Sequence, residues 1–138
     1  MGSALRCGEM AMIHYKDQVR RPRPSELCNG LLTPFGYPRH SSWPSGHSLQ
    51  AHLLSLLLLK ITGVENRFGD FPGSPGELMW LANRVAVGRE RAGFHYPTDT
   101  AAGREIAIKL SQMIQTYITA NPSSEFAKIL DSAQAEWP

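Results

Sequence analysis

The sequence reads as an all-α helical bundle, because apolar residues recur at helical spacing in several segments and those segments begin and end on helix-capping residues. No run alternates apolar and polar residues long enough to make a strand. With 138 residues, 42% hydrophobic and 19% charged, the chain has the size and composition of one packed domain. Residues 1–138 are therefore read as a single domain.

Residues 4 to about 19 can form the first helix, with Leu5, Met10, Met12 and Ile13 in loose apolar register. From Pro22 to Pro44 the chain holds Pro22, Pro24, Pro34, Pro38 and Pro44 with Gly30 and Gly36, and proline lacks the amide hydrogen that helices and inner strands need. That stretch reads as a long loop. Loops of such length in compact domains are uncommon unless functional or disordered, so this one points to a site. A helix should follow from about Ser45 to Ile61, ended by Gly63, and its near-continuous leucines imply burial on more than one side. This is the expected central helix. Ser74-Pro75-Gly76-Glu77 reads as a capping box with proline at the first helical position, opening a helix to about Arg91. Another helix begins near Pro97, carries Ile106, Ile108, Leu110, Met113, Ile114 and Tyr117, and ends before Asn121-Pro122. The last starts at Ser123 or Ser124 and holds Phe126, Ile129 and Leu130.

A formal charge of +2 is too mild for nucleic acid, and the one basic cluster, Lys16, Arg20, Arg21 and Arg23, suits a local anion site better than a polyanion groove. Cys7 and Cys28 sit at no metal-ligand spacing and are expected to be small buried apolar side chains rather than a disulfide. The most apolar run, Leu53 to Leu59, is followed by Lys60 and falls short of the roughly 20 residues that cross a bilayer. With no signal-peptide pattern at the N-terminus either, a soluble, cytoplasmic protein without a transmembrane segment is expected.

Three groups of residues carry chemistry. Pro44-Ser45-Gly46-His47 lies where the proline-rich loop meets a helix, the place where unpaired amides and the helix dipole favour an anion. Ser45 can cap and donate its hydroxyl, Gly46 lets a ligand approach the backbone, and His47 stands at the edge with a pKa suited to proton transfer. Read alone, the tetrapeptide is equally a plain helix start. Downstream, Arg89, His95 and Asp99 have five and three residues between them. A carboxylate four residues after a histidine can fix its tautomer and leave the other nitrogen free as nucleophile or ligand, although the same pair is also an ordinary helix-start contact. Upstream, Lys16 and Arg23 can converge on one oxyanion, the arginine as a fork and the lysine as a point charge, or form a solvated basic helix end. Arg20 and Arg21 fit the solvated helix end better.

Together the three groups resemble, in order and spacing, the signature of the phosphatidic acid phosphatase type 2 and vanadium-dependent haloperoxidase superfamily: Lys-x6-Arg-Pro, Pro-Ser-Gly-His and Ser-Arg-x5-His-x3-Asp. The match is Lys16-x6-Arg23-Pro24, Pro44-Ser45-Gly46-His47 and Arg89-x5-His95-x3-Asp99, spanning residues 16 to 99. Gly88 stands where the family usually has serine, which removes a hydroxyl but no charge. Family domains have further helices before the first motif, whereas fifteen residues precede Lys16 here. The resemblance thus implies a helical bundle incomplete at its N-terminus, either a fragment or a bundle completed by another subunit in a homo-oligomer.

The resemblance implies that Lys16, Arg23, Arg89, the Ser45 hydroxyl and the Gly46 amide hold an oxyanion. In the phosphatase branch His95 attacks phosphorus and becomes a phosphohistidine, Asp99 orients it, and His47 protonates the leaving alcohol and then activates water. No cofactor is then needed, and the partner is a phosphate ester or other small molecule. In the haloperoxidase branch the same pocket binds vanadate through His95, with hydrogen peroxide and halide as substrates. His40, seven residues before His47, resembles a histidine beside the vanadate of algal bromoperoxidases, which makes His40 and Trp43 a candidate halide pocket. Phosphatases outnumber haloperoxidases in the superfamily, so a phosphoric monoester hydrolase is the reading carried forward. A domain that only binds an anion or a partner is the third alternative, and it has no need of both histidines and the carboxylate.

Overall fold

Capping chemistry sets the helix ends. The Ser45 hydroxyl accepts a hydrogen bond from the Ser48 amide at 3.3 Å and opens one helix, which Gly63 closes at φ +60° with its amide on Leu59 O. Ser124 likewise accepts from the Ala127 amide at 3.3 Å. In the computed structural model, which describes residues 2–28, 30–34, 36, 38–63 and 76–137, these signals delimit α1 (Gly2–Gln18), α2 (Pro24–Leu27), α3 (Gly46–Thr62), α4 (Gly76–Arg91), α5 (Pro97–Ala120) and α6 (Glu125–Ala135). Among the described residues there is no strand, so the all-α reading holds.

The Ser74 and Pro75 part of the expected capping box lies outside the described residues, while the helix it was to open is present as α4. One boundary differs. The stretch from Pro22 to Pro44 is not loop throughout: Pro24, with its fixed φ, is the first helical residue of α2, and Glu26 Oε2 accepts from the Arg23 amide at 2.6 Å to hold that turn.

α3 is central, packing against α5, α4, α1 and α6. Leu49, Leu53 and Ala107 form the buried core, and Met12, Leu57, Ile106, Leu110 and Ile114 pack around it. Its polar residues reach across to neighbouring helices. Ser48 Oγ donates to Thr100 O at 2.8 Å, Ser55 Oγ donates to Leu78 O at 2.8 Å, and the buried His52 ring spans from Ser48 O to the Asn83 amide. Small residues let the helices approach closely. An added Cβ at Gly103 would fall 2.5 Å from Ser45 O and 3.0 Å from Leu49 N, so at this crossing α5 touches the backbone of α3.

One expectation changes. Cys7, on α1, and Cys28, just after α2, are free but exposed. Large apolar side chains are also exposed, including Met10 and Ile13 on α1, Trp80 and Leu81 on α4, and Met113 on α5. No helix among the described residues is long and apolar enough to cross a membrane.

Candidate active site

Three helix ends converge: the start of α3, the end of α4 and the start of α5. The Ser45 amide donates to Asp99 O at 3.0 Å, tying the first turn of α3 to that of α5. After α4 the chain reverses at Gly93, whose φ of +74° disfavours residues with a side chain, and the Gly93 and Phe94 amides bond back to Glu90 O and Arg89 O. His95 follows directly and is buried. The amides of Gly46 and His47 make no hydrogen bond among the described residues and remain available at the helix N-terminus. Gly46 also has a packing reason to lack a side chain, since a Cβ there would collide with Met12 Sδ.

Lys16 and Arg23 are brought together from α1 and the start of α2, and both are buried. Lys16 Nζ donates to Ser41 O at 2.6 Å and Pro44 O at 2.8 Å. Arg23 donates to Phe94 O at 2.8 Å, Pro38 O at 3.3 Å and His40 O at 3.3 Å. A proline-rich segment has few amides to pair its carbonyls, and these two cations supply the missing donors. They therefore shape the loop that precedes the Pro44-Ser45-Gly46-His47 turn, as well as bringing positive charge to it. Burial, then the charge of Arg23, lowers the pKa of Lys16 from 10.5 to about 8, with Asp99 acting in opposition.

His95 lies between a carboxylate and a guanidinium. Its Nδ1 is 3.5 Å from Asp99 Oδ2, an ion-pair distance at which it makes no hydrogen bond among the described residues, and its Nε2 is 3.5 Å from Arg23 Nη1. Burial lowers the His95 pKa, Arg23 and Lys16 lower it further, and Asp99 resists. Asp99 is held below the usual carboxylate value. Burial pushes it up, but the nearby His95 ring, the bond from the Tyr96 amide and the charge of Arg21 outweigh that. The favoured state is an ionised Asp99 beside a neutral imidazole with its proton on Nδ1 and its lone pair on Nε2.

His47 is exposed at the start of α3. Its pKa is lowered by partial burial and then by the charges of Arg89, His95, Arg23 and Lys16, so all four lie within electrostatic reach of its ring. The Arg89 guanidinium sits 4.1 Å from the centroid of the Phe94 ring. An added Cβ at Gly88 would meet nothing within 4 Å, so the glycine in place of serine fills no tight space. Lys16, Arg23, Ser45, Gly46, His47, Arg89, His95 and Asp99 thus gather at one end of the bundle. His40 joins them, with Nδ1 3.3 Å from Arg23 Nη2. Trp43 packs edge-on against Tyr15 of α1 at 5.8 Å.

The chain is similar to a known phosphatase. A decaprenylphosphoryl-5-phosphoribose phosphatase from Mycolicibacterium smegmatis (strain ATCC 700084 / mc(2)155) is 30% identical over 103 residues, covering 75% of this chain and 50% of that protein. The chain spans about half the length of this curated relative. No protein-family model matches the chain.

Beside the cluster lies a cleft of about 660 Å³, walled by Met12, Ile13, Arg20, Arg21, Arg39 and, shared with the cluster, Lys16 and His40. The reading from sequence missed Arg21. Its place in the basic run suits a solvated helix end, yet its Nη1 donates to Asp99 Oδ1 at 2.9 Å. The available signal was the position of Arg21 two residues before Arg23, on a chain segment that must turn into the site.

Proposed function

We propose that this chain belongs to the phosphatidic acid phosphatase type 2 and vanadium-dependent haloperoxidase superfamily and hydrolyses phosphate monoesters through a phosphohistidine. The observation that carries the reading is the placement of His95, with Nδ1 toward Asp99 and Nε2 toward Arg23. In this reading the substrate phosphate lies against Arg23, Arg89, Lys16 and the amides of Gly46 and His47, which stabilise charge on its equatorial oxygens. The Nε2 lone pair of His95 attacks phosphorus while the bond to the leaving oxygen breaks, and His47 gives that oxygen a proton. His47 then takes a proton from water, whose oxygen attacks phosphorus as the phosphorus–nitrogen bond breaks, releasing inorganic phosphate. Asp99 compensates the charge that His95 gains. The relative is named for decaprenylphosphoryl-5-phosphoribose, so a phosphorylated sugar is the substrate class to try first, its alcohol portion directed to the cleft beside Lys16 and His40.

The test is rapid quench with labelled p-nitrophenyl phosphate. His95→Ala should abolish turnover and any phosphoenzyme. His47→Ala should lose about 100- to 10,000-fold in rate yet still form phosphoenzyme from this good leaving group, and Asp99→Asn should fall between the two. Phosphohistidine trapped in His95→Ala but not in His47→Ala would reverse the roles, and an inert wild-type chain would remove the reading.

One contact favours the haloperoxidase alternative, the approach of His40 to Arg23. The donor set of one imidazole and several cations fits vanadate as it fits phosphate, since both are tetrahedral oxyanions. His95 would hold the vanadate, which when bound supplies peroxide-driven halide oxidation. Halogenation by the same preparation in vanadate and peroxide, without phosphate ester hydrolysis, would select this reading.

A further inference from the structure

Asp99 divides its two oxygens between different tasks. Oδ2 accepts from the Tyr96 amide at 2.9 Å and faces His95 Nδ1, while Oδ1 accepts from Arg21 Nη1 at 2.9 Å. The carboxylate is fully buried, and Arg21 is the sole partner of Oδ1 among the described residues. Arg21 is itself well anchored. The same Nη1 bonds Thr98 Oγ1 at 2.7 Å, and the guanidinium lies over the Tyr96 ring at 4.0 Å.

We propose that Arg21 is a positioning residue that partners Asp99 Oδ1 and offsets part of the carboxylate charge, keeping His95 a neutral nucleophile. The role rests on the reading of His95 as nucleophile. The groups acting on His95 are Lys16 from α1, Arg23 at the head of α2, His47 from α3 and Asp99 from α5. Asp99 alone favours the imidazolium, which has no lone pair on Nε2 and cannot attack. A bare carboxylate at that distance would favour protonation more strongly, and without Arg21 it stays facing His95 because the Tyr96 amide still holds Oδ2 while Oδ1 loses its partner. Arg21 offsets that charge and supplies the partner. Because its own side chain is 34% exposed, replacing it opens no sealed cavity.

The test compares Arg21→Met and Arg21→Lys with wild type in the full chain, using p-nitrophenyl phosphate rates against pH and the NMR titration of the His95 ring. In Arg21→Met the His95 midpoint and the acid limb of kcat/KM should both move to higher pH. kcat should fall about ten- to a hundredfold, the usual worth of a group that orients a reacting one, with KM little changed. Arg21→Lys should return the limb toward wild type but recover only part of kcat, because an ammonium replaces the charge and not the planar fork over Tyr96. An unmoved His95 midpoint and acid limb in Arg21→Met would overturn the proposal, even with reduced kcat, since a merely structural loss leaves both in place. If wild type hydrolyses no phosphate ester while the His95 midpoint still shifts, the phosphatase reading fails and the Arg21–Asp99–His95 coupling stands.

Discussion

Raising the pH from 7 to 9 should weaken anion binding through Lys16. Only 7% of this residue is exposed, and its pKa is lowered to about 8, chiefly by burial. A dianion beside the ammonium would restore the charged form, so affinity should follow the fraction of Lys16 protonated in the free protein. That fraction is about nine-tenths at pH 7 and about one-tenth at pH 9 for a group titrating near 8, which weakens Kd about tenfold. Binding at pH 9 should also take up about 0.9 proton, the difference between bound and free protonation. Sulfate is the suitable probe because its charge is constant over this range, and the histidines, with lowered pKa values at His47 and His95, no longer titrate there. Calorimetry in two buffers of different ionisation enthalpy counts the protons, and Lys16→Met should bind more weakly at pH 7 and lose the pH dependence. A sulfate Kd that stays within about twofold between pH 7 and pH 9, where the linkage requires about tenfold, would refute the coupling.

Gly103→Ala should destabilise the fold by about 1–3 kcal/mol, because its methyl meets Ser45 O and Leu49 N, backbone atoms that cannot step aside. Urea denaturation measures this, and a variant as stable as wild type would show that the α3–α5 crossing has slack. The pH profile of kcat/KM should peak on the acid side of 6.5, since His47 must be protonated and His95 neutral in the free enzyme and both are lowered from that value. As pH rises through neutrality the rate should fall with loss of the His47 proton. A maximum at pH 8 would exclude His47 as the acid.

Helix ends were legible because their causes are local: Ser45, Gly63 and Ser124 each act on a backbone group within four residues. The gathering of Lys16, Arg23, His47, Arg89 and His95 was expected from their spacing, although no one segment contains it. Long-range pairing was less legible. Arg21 and Asp99 are 78 residues apart, and only the reversal at Gly93 and the docking of α5 on α3 bring them together. Likewise, nothing in the order of residues says that Lys16 and Arg23 serve loop carbonyls, beyond the shortage of amide donors in a stretch with five prolines. The exposure of Cys7 and Cys28 was misjudged because composition gives an average burial, not the side of a helix.

The direction in which the helices run also determines where the molecule can be altered. α3 starts at the cluster and α4 ends there, so both turn their other ends away from it. Seventeen helical residues at 1.5 Å each carry Gly63 about 25 Å from Ser45. A fluorophore or an affinity handle attached at Gly63 would sit at the end of α3 away from the cluster, where a label can report on the whole domain without entering the chemistry.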